Sequence, residues 1–229
     1  IAPTSFLVQP SLSADGTLVF QTAQDTNRLN SDFRVRVSLR DSGLGDPPPN
    51  TNISAEQTFT IDVTPVNDSP SVGEYSTSGV EDTMLTIQST DLLAGAIAGP
   101  TFDELGQALR VTQVATSSVA GGRVTPVFGD AADPTKITSI QYQPPLNLVG
   151  SDSLLFVVTD DGSPEHSGTG TVVINLTSVN DAPQFTRGTN VTVPEDSGAV
   201  TFEGWATNIL PGPPSATDEL DQQTVSFLT

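Results

Sequence analysis

The chain has 229 residues, of which 35% are apolar, and its 8 Lys and Arg against 27 Asp and Glu give a formal charge of −19. A surface this acidic repels nucleic-acid phosphates and anionic lipid headgroups and favours cations as partners. The absence of cysteine and the single histidine, His166, exclude disulfide frameworks, thiolate nucleophiles and multi-histidine metal sites, and leave Ser-His-Asp hydrolysis almost no raw material.

Taken along the chain, nearly every element reads as a short strand. The first is 17–22, after an Asp15-Gly16 turn signal. In 33–39, Phe33, Val35, Val37 and Leu39 alternate with Arg34, Arg36 and Ser38, a period of two that turns one face inward and the other to water. A turn-rich insertion at 43–52 carries Pro47, Pro48 and Pro49. Further strands are expected at 58–63, 83–88, 109–115, 123–128, 138–142, 154–158, 171–176 and 223–228, with a second Asp-Gly turn at Asp161-Gly162 and one helical turn within 91–98. No run reaches the ~20 apolar residues needed to cross a bilayer, and residues 1–10 lack the basic stretch of a signal peptide. A chain that opens on Ile1 is expected to be a piece of something longer.

The chain also repeats itself. Residues 59–70, ending Val66-Asn67-Asp68-Ser69-Pro70, return as 172–183, ending Val179-Asn180-Asp181-Ala182-Pro183, at an offset of 113. Glu81-Asp82 recurs as Glu195-Asp196 at 114, and Asp103-Glu104 as Asp218-Glu219 at 115. Upstream, 37–41 matches 156–160 at 119, the excess falling in the 43–52 insertion. The expected organisation is the C-terminal part of one module over 1–70, a complete module over 71–183, and the N-terminal part of a third over 184–229. Strands at this spacing in a unit of ~100 residues predict an all-β protein of tandem Greek-key β-sandwiches, immunoglobulin-like and joined end to end.

The Val-Asn-Asp-Ala-Pro run at 179–183, its variant at 66–70, Pro194-Glu195-Asp196 and Asp160-Asp161-Gly162 resemble the bacterial cadherin-like tandem repeats of giant surface and secreted proteins. The resemblance implies an extracellular, cell-surface location, serial β-sandwiches and calcium at the joints between modules. Calcium also follows from the residues, because six to eight oxygen ligands require acids from several loops to converge, and in such a sandwich the loops gather at its two ends. Asn67, Asp68, Glu81, Asp82, Asp103 and Glu104 are expected to meet Asp41 at the first joint. Asn180, Asp181, Glu195, Asp196, Asp218, Glu219, Asp160 and Asp161 are expected to form the second. Carboxylates about 4 Å apart repel by ~4 kcal/mol at an effective dielectric of 20, so repeated convergence suggests a cation; the alternative reading is that these acids are solvated loop residues that cap turns and keep the protein soluble.

The function expected is a non-catalytic, calcium-rigidified spacer, stalk or filament, with neighbouring repeats or subunits of the same protein as partners. The alternative is an adhesin or lectin-type module that recognises a glycan or a partner protein through clustered exposed aromatics, of which the sequence gives no sign. Trp205 reads as a packing tryptophan, Glu165-His166 as a loop pair without function, and Lys136, the sole lysine, as a poor candidate for an isopeptide crosslink.

Overall fold

A computed structural model describes residues 5–29, 31–44, 51–100, 102–220 and 222–228. Thirteen strands and two short helices occur among them. The chain divides into two compact units. One comprises residues 1–71, 97–109 and 159–167, and the other 72–96, 110–158 and 168–229.

The first unit holds two antiparallel ladders. Strands β1 (Phe6–Leu12) and β2 (Leu18–Thr22) are joined by a turn in which Gly16, at φ +88°, takes the left-handed conformation that glycine adopts without strain. The Asp15 carboxylate accepts the Thr17 N–H at 3.0 Å and closes that turn. Strands β3 (Arg34–Val37) and β4 (Gln57–Thr60) pair with Val35 opposite Phe59. Because side chains alternate across a strand, Arg34 and Arg36 stay in solvent while Val35 joins Phe6 and Phe33 in a small core. Phe6 meets Phe33 edge-on at 5.3 Å, the arrangement favoured by ring quadrupoles. Of the expected insertion at 43–52, residues 45–50 lie outside the described residues.

The second unit is built on a seven-stranded sheet. Its strands are β5 (Glu74–Val80), β6 (Leu85–Gln88), β7 (Arg110–Val114), β8 (Arg123–Phe128), β9 (Ile137–Gln143), β10 (Gly150–Thr159) and β11 (Ser167–Thr177). Their order is β5-β11-β10-β7-β9-β6, with β8 also on β9. β7 and β9 meet only at Val111 and Ile137, so the sheet is two halves hinged at that pair. One half contributes Leu154, Phe156, Val158, Val172, Ile174 and Leu176 to the core, the other Ile87, Val124, Ile140 and Tyr142. Two sheet halves sharing one buried core make a β-sandwich. Helix α1 (Ser89–Leu93) follows β6 and buries Leu92. At Gly170 the backbone runs so close to the core that a Cβ there would stand 2.5 Å from Phe156 Cζ, which is why β11 carries a glycine in mid-strand.

Two devices fix this sandwich at opposite ends of β10. The buried Tyr142 hydroxyl donates to Asp152 Oδ2 at 2.5 Å, while Asp152 Oδ1 accepts the N–H groups of Ala120 and Ser153 at 2.9 and 2.7 Å. Burial and the adjoining carboxylate raise the Tyr142 phenol well above its ordinary value. Burial pushes Asp152 up too, but the hydrogen bonds from Ser118, Tyr142, Ala120 and Ser153 outweigh it and hold that carboxyl below the usual range. At the other end, Asp160 caps the β10–β11 turn by accepting the Gly162 and His166 N–H groups, both at 3.0 Å.

The strands expected at 17–22, 33–39, 83–88, 109–115, 123–128, 138–142, 154–158 and 171–176 all coincide with observed ones, β10 and β11 being longer than their apolar centres suggested. The stretch 223–228 is not a strand. Strands β12 (Gln184–Arg187) and β13 (Ala206–Leu210) form instead a separate antiparallel pair, followed by helix α2 (Thr217–Leu220). Neither strand has the alternating apolar pattern that marks a half-buried one. Among the described residues no helix is long and apolar enough to cross a membrane.

Candidate functional site

The most developed cluster of acids lies in the second unit and draws on four segments. β5 pairs in parallel with β11, so both strands end together and Glu81 emerges beside the residues that follow Thr177. The Glu81 N–H donates to Thr177 O at 3.0 Å, and its Oε1 accepts the Val179 N–H at 2.7 Å. Two residues on, the Asp181 N–H donates to Glu219 Oε1 at 2.6 Å, which ties the 178–183 segment to α2. A Cβ at Gly212 would collide with Glu219 Oε2, so glycine there is what lets the carboxylate lie against the backbone. Asp82, at φ +56°, accepts the N–H of Asn147 from the β9–β10 turn at 2.8 Å.

Four carboxylate oxygens of this cluster are buried with no hydrogen-bond partner: Glu81 Oε2, Asp181 Oδ2, Asp218 Oδ1 and Glu219 Oε2. Glu81 and Glu219 are each 1% exposed. Buried carboxylate oxygens left unpaired are costly, and like charges beside them add to the cost. Burial, foremost, and the charges of Asp218, Asp82 and Asp181 raise Glu81 above the ordinary carboxylate range against the opposing Val179 N–H. Burial and then Glu219, Asp82 and Asp218 raise Asp181 likewise. Such oxygens are the donor chemistry of a hard divalent cation, and Glu81, Asp181, Asp218 and Glu219 are the residues that would hold it. Among the described residues no three acids or histidines stand at the separations of a finished metal cage, so the set is a loose cluster.

The first unit holds a related set. Asp68 is raised by burial and then by the charges of Asp25, Glu104 and Asp103, with His166 partly offsetting them. Glu104 is 2% exposed, and Asp25, Asp68 and Asp103 line a cavity of about 450 Å³ together with Thr26 and Asn27. Beside it Asn67 forms a brace. Its Nδ2 donates to Asp160 Oδ1 at 3.1 Å and to Pro164 O at 2.8 Å, and its Oδ1 accepts Gln107 Nε2 at 2.6 Å. Asp161 accepts the Ala108 N–H at 2.8 Å. A Cβ at Gly162 would collide with the Asn67 carboxamide, which accounts for the glycine of the Asp160-Asp161-Gly162 run.

The structure regroups the acids that the sequence assigned to each joint, and strand direction is the reason. Glu81 and Asp82 do not stand with Asp68. β5 carries the chain a strand length onward before them, and they join Asp181, Asp218 and Glu219. Asp160 and Asp161 do not stand with Asp181, because the β10–β11 turn returns to the end where Asn67 lies. Asp41 occupies the corresponding turn of the first unit, exposed, its Oδ1 accepting the Gly43 N–H at 2.7 Å. Asp103 and Glu104 with Asp68, and Asp218 and Glu219 with Asp181, are grouped as expected. Glu195 and Asp196 are exposed, and so is Asn180, whose Nδ2 donates to Asp181 O at 3.0 Å.

Two members were not anticipated, Asp25 and Asn147. Both have left-handed backbones, at φ +53° and +58°. They lie 122 residues apart, as do Phe20 and Tyr142, and Gln21 and Gln143. Extending the repeat offsets through those two pairs would have paired them.

No family model matches the chain, and no curated protein does. Solved structures similar to it include a protocadherin gammaB7 EC3-6 cis-dimer, at 15% identity and TM-score 0.38, over 82% of this chain and 42% of that one. Human CDH23 EC21-23 matches at 17% identity and TM-score 0.39, over 81% and 61%. A nucleoside hydrolase-related hypothetical protein from Saccharophagus degradans, described as associated with carbohydrate metabolism, matches at 18% identity and TM-score 0.28, over 48% and 26%. The chain thus spans less than two thirds of the length of each.

Proposed function

We propose that the chain is a non-catalytic segment of an extracellular array of β-sandwiches, divided at about residues 70 and 183, in which divalent cations, calcium foremost, stiffen the joints. The observation that carries the reading is the set of four buried, unpartnered carboxylate oxygens on Glu81, Asp181, Asp218 and Glu219. Asp181 follows the strand that ends one sandwich, and Asp218 and Glu219 belong to the segment after the next pair of strands. A cation bridging them would resist bending between the two. Calcium supplies compensating charge and a flexible shell of six to eight oxygens. The residues do the rest: Val179 N–H and Asp181 N–H orient the Glu81 and Glu219 carboxylates, leaving one oxygen of each free. The acidic surface and the cadherin-like repeat motifs favour a spacer, stalk or filament of a bacterial surface protein, with neighbouring repeats of the same protein as its partners. Thermal unfolding of the full chain in millimolar calcium and then in chelator tests this. A large upward shift with calcium that alanine at Asp181 and Glu219 together abolishes is expected, and no shift beyond that of a monovalent salt at equal ionic strength refutes it.

A second reading, an adhesin or lectin-type module, gains one observation. Phe185 and Phe227, 51% and 53% exposed, meet edge-on at 5.0 Å along a groove of about 860 Å³ that Ile209 and Leu210 also line. Exposed aromatics therefore do cluster, where the sequence had suggested none. A glycan and peptide binding screen repeated on Phe185→Ser separates this reading from the first.

A further inference from the structure

Two of the segments that build the second cluster lie far apart in sequence, and one residue of the β9–β10 turn touches both. The backbone N–H of Asn147 donates to Asp82 Oδ1 at 2.8 Å, and its Nδ2 donates to Ser215 Oγ at 2.7 Å. Ser215 is fastened to the segment bearing the acids, because the Thr217 N–H donates to Ser215 O at 3.0 Å and the Ala216 N–H to Pro213 O at 2.9 Å. Asn147 holds the left-handed backbone that lets amide and side chain serve these two partners, a conformation Asn tolerates better than most residues.

We propose that Asn147 is a positioning residue of the cation site, clipping Ser215 so that Asp218 and Glu219 are held against Glu81 and Asp181 before any ion arrives. This deepens the reading above and rests on it. The first unit offers a contrast. Its equivalent, Asp25, places a carboxylate near Asp68 where the second cluster has a carboxamide. A carboxamide adds no charge to an already acidic set, so its contribution is geometric. Holding ligands in place beforehand lowers the ordering cost that would otherwise come out of the binding free energy.

The test uses the full 229-residue chain with calcium in titration calorimetry and terbium in luminescence-lifetime measurements in light and heavy water. Asn147→Gly keeps the left-handed turn and removes only the carboxamide, and Ser215→Ala removes its partner. Each is expected to weaken calcium at one site about 5- to 10-fold, the worth of one hydrogen bond, with little further loss in the double variant. The bound lanthanide should gain water, and melting in chelator should fall by no more than the worth of that one hydrogen bond. Asn147→Asp, which Ser215 can reach as donor, should restore the affinity to at least that of wild type, the added charge strengthening the attraction. Unchanged affinity and hydration in Asn147→Gly overturn the assignment while leaving calcium binding intact. A loss of stability in chelator with no change in lanthanide hydration overturns it in favour of a structural role. A wild-type chain that binds no calcium overturns this proposal and the function above it together.

Discussion

Glu81→Gln is expected to stabilise the protein without calcium and destabilise it with calcium. The substitution preserves the acceptor for the Val179 N–H and leaves the backbone bond to Thr177 untouched, so it removes one charge from among Asp82, Asp181 and Asp218. A like-charge pair about 6 Å apart repels by roughly 3 kcal/mol at an effective dielectric of 20, and exposure of Asp82 and salt screening reduce the sum. A net gain of about 1–2 kcal/mol in chelator follows, or roughly 2–8 °C in melting temperature for a domain of 150–250 residues. In millimolar calcium the same variant loses a ligand and melts below wild type. The pH dependence has a definite sign. A carboxyl whose folded pKa is raised binds more protons folded than unfolded, so its contribution improves as pH falls through the raised value toward the unfolded ~4.3. Wild-type stability in chelator should therefore gain relative to Glu81→Gln as the buffer is acidified from neutrality. Unfolding curves of both proteins, with and without calcium, at a series of pH values test all of this. A variant less stable than wild type in chelator by the same amount as in calcium would refute the idea that these carboxylates are held together at a cost.

Two further substitutions probe the scaffold. Tyr142→Phe removes the donor to the buried Asp152 and should cost about 1–3 kcal/mol by urea unfolding near neutral pH. The depressed Asp152 contributes stability above its unfolded value of ~3.9 that is lost as pH falls through the folded one, so the deficit of the variant should shrink in acid. Gly170→Ala places a Cβ 2.5 Å from Phe156 Cζ and 2.6 Å from Val72 Cγ1, and the buried Phe156 ring cannot relieve its contact cheaply. A loss of about 1–3 kcal/mol is expected, and an unchanged midpoint would mean that β11 can shift within the sheet.

How much of this was legible beforehand depended on whether the information was local. Alternation at 33–39 and the apolar run at 154–158 are local signals, and the strands there fall where the pattern puts them. Alternation does not reveal β5, because Glu74–Val80 is an edge strand of small polar residues, Ser76, Thr77, Ser78 and Gly79, whose pairing comes from β11 and not from its own propensity. Without a strand between Asp68 and Glu81 the two acids read as neighbours, and with it they belong to different clusters. Spacing likewise groups Asp160 with Asp181, although the turn that carries Asp160 lies with Asn67. Which acids share a cluster depends on where each strand runs, and residue spacing does not carry direction.

The clusters also differ in a way that the repeat alone does not express. Asp68 and Asp181 occupy equivalent places, as do Asp103-Glu104 and Asp218-Glu219, yet Asp25 in one is Asn147 in the other. A charge at that place strengthens the attraction for a cation and raises the repulsion the protein bears without one. A carboxamide does neither, and its hydrogen bond to Ser215 acts whether or not an ion is present. The first cluster should therefore depend more steeply on cation and on ionic strength, and the second should retain its arrangement at lower cation concentration. Two joints built from one motif would then stiffen over different ranges of calcium, the difference resting on one oxygen exchanged for one NH₂ group.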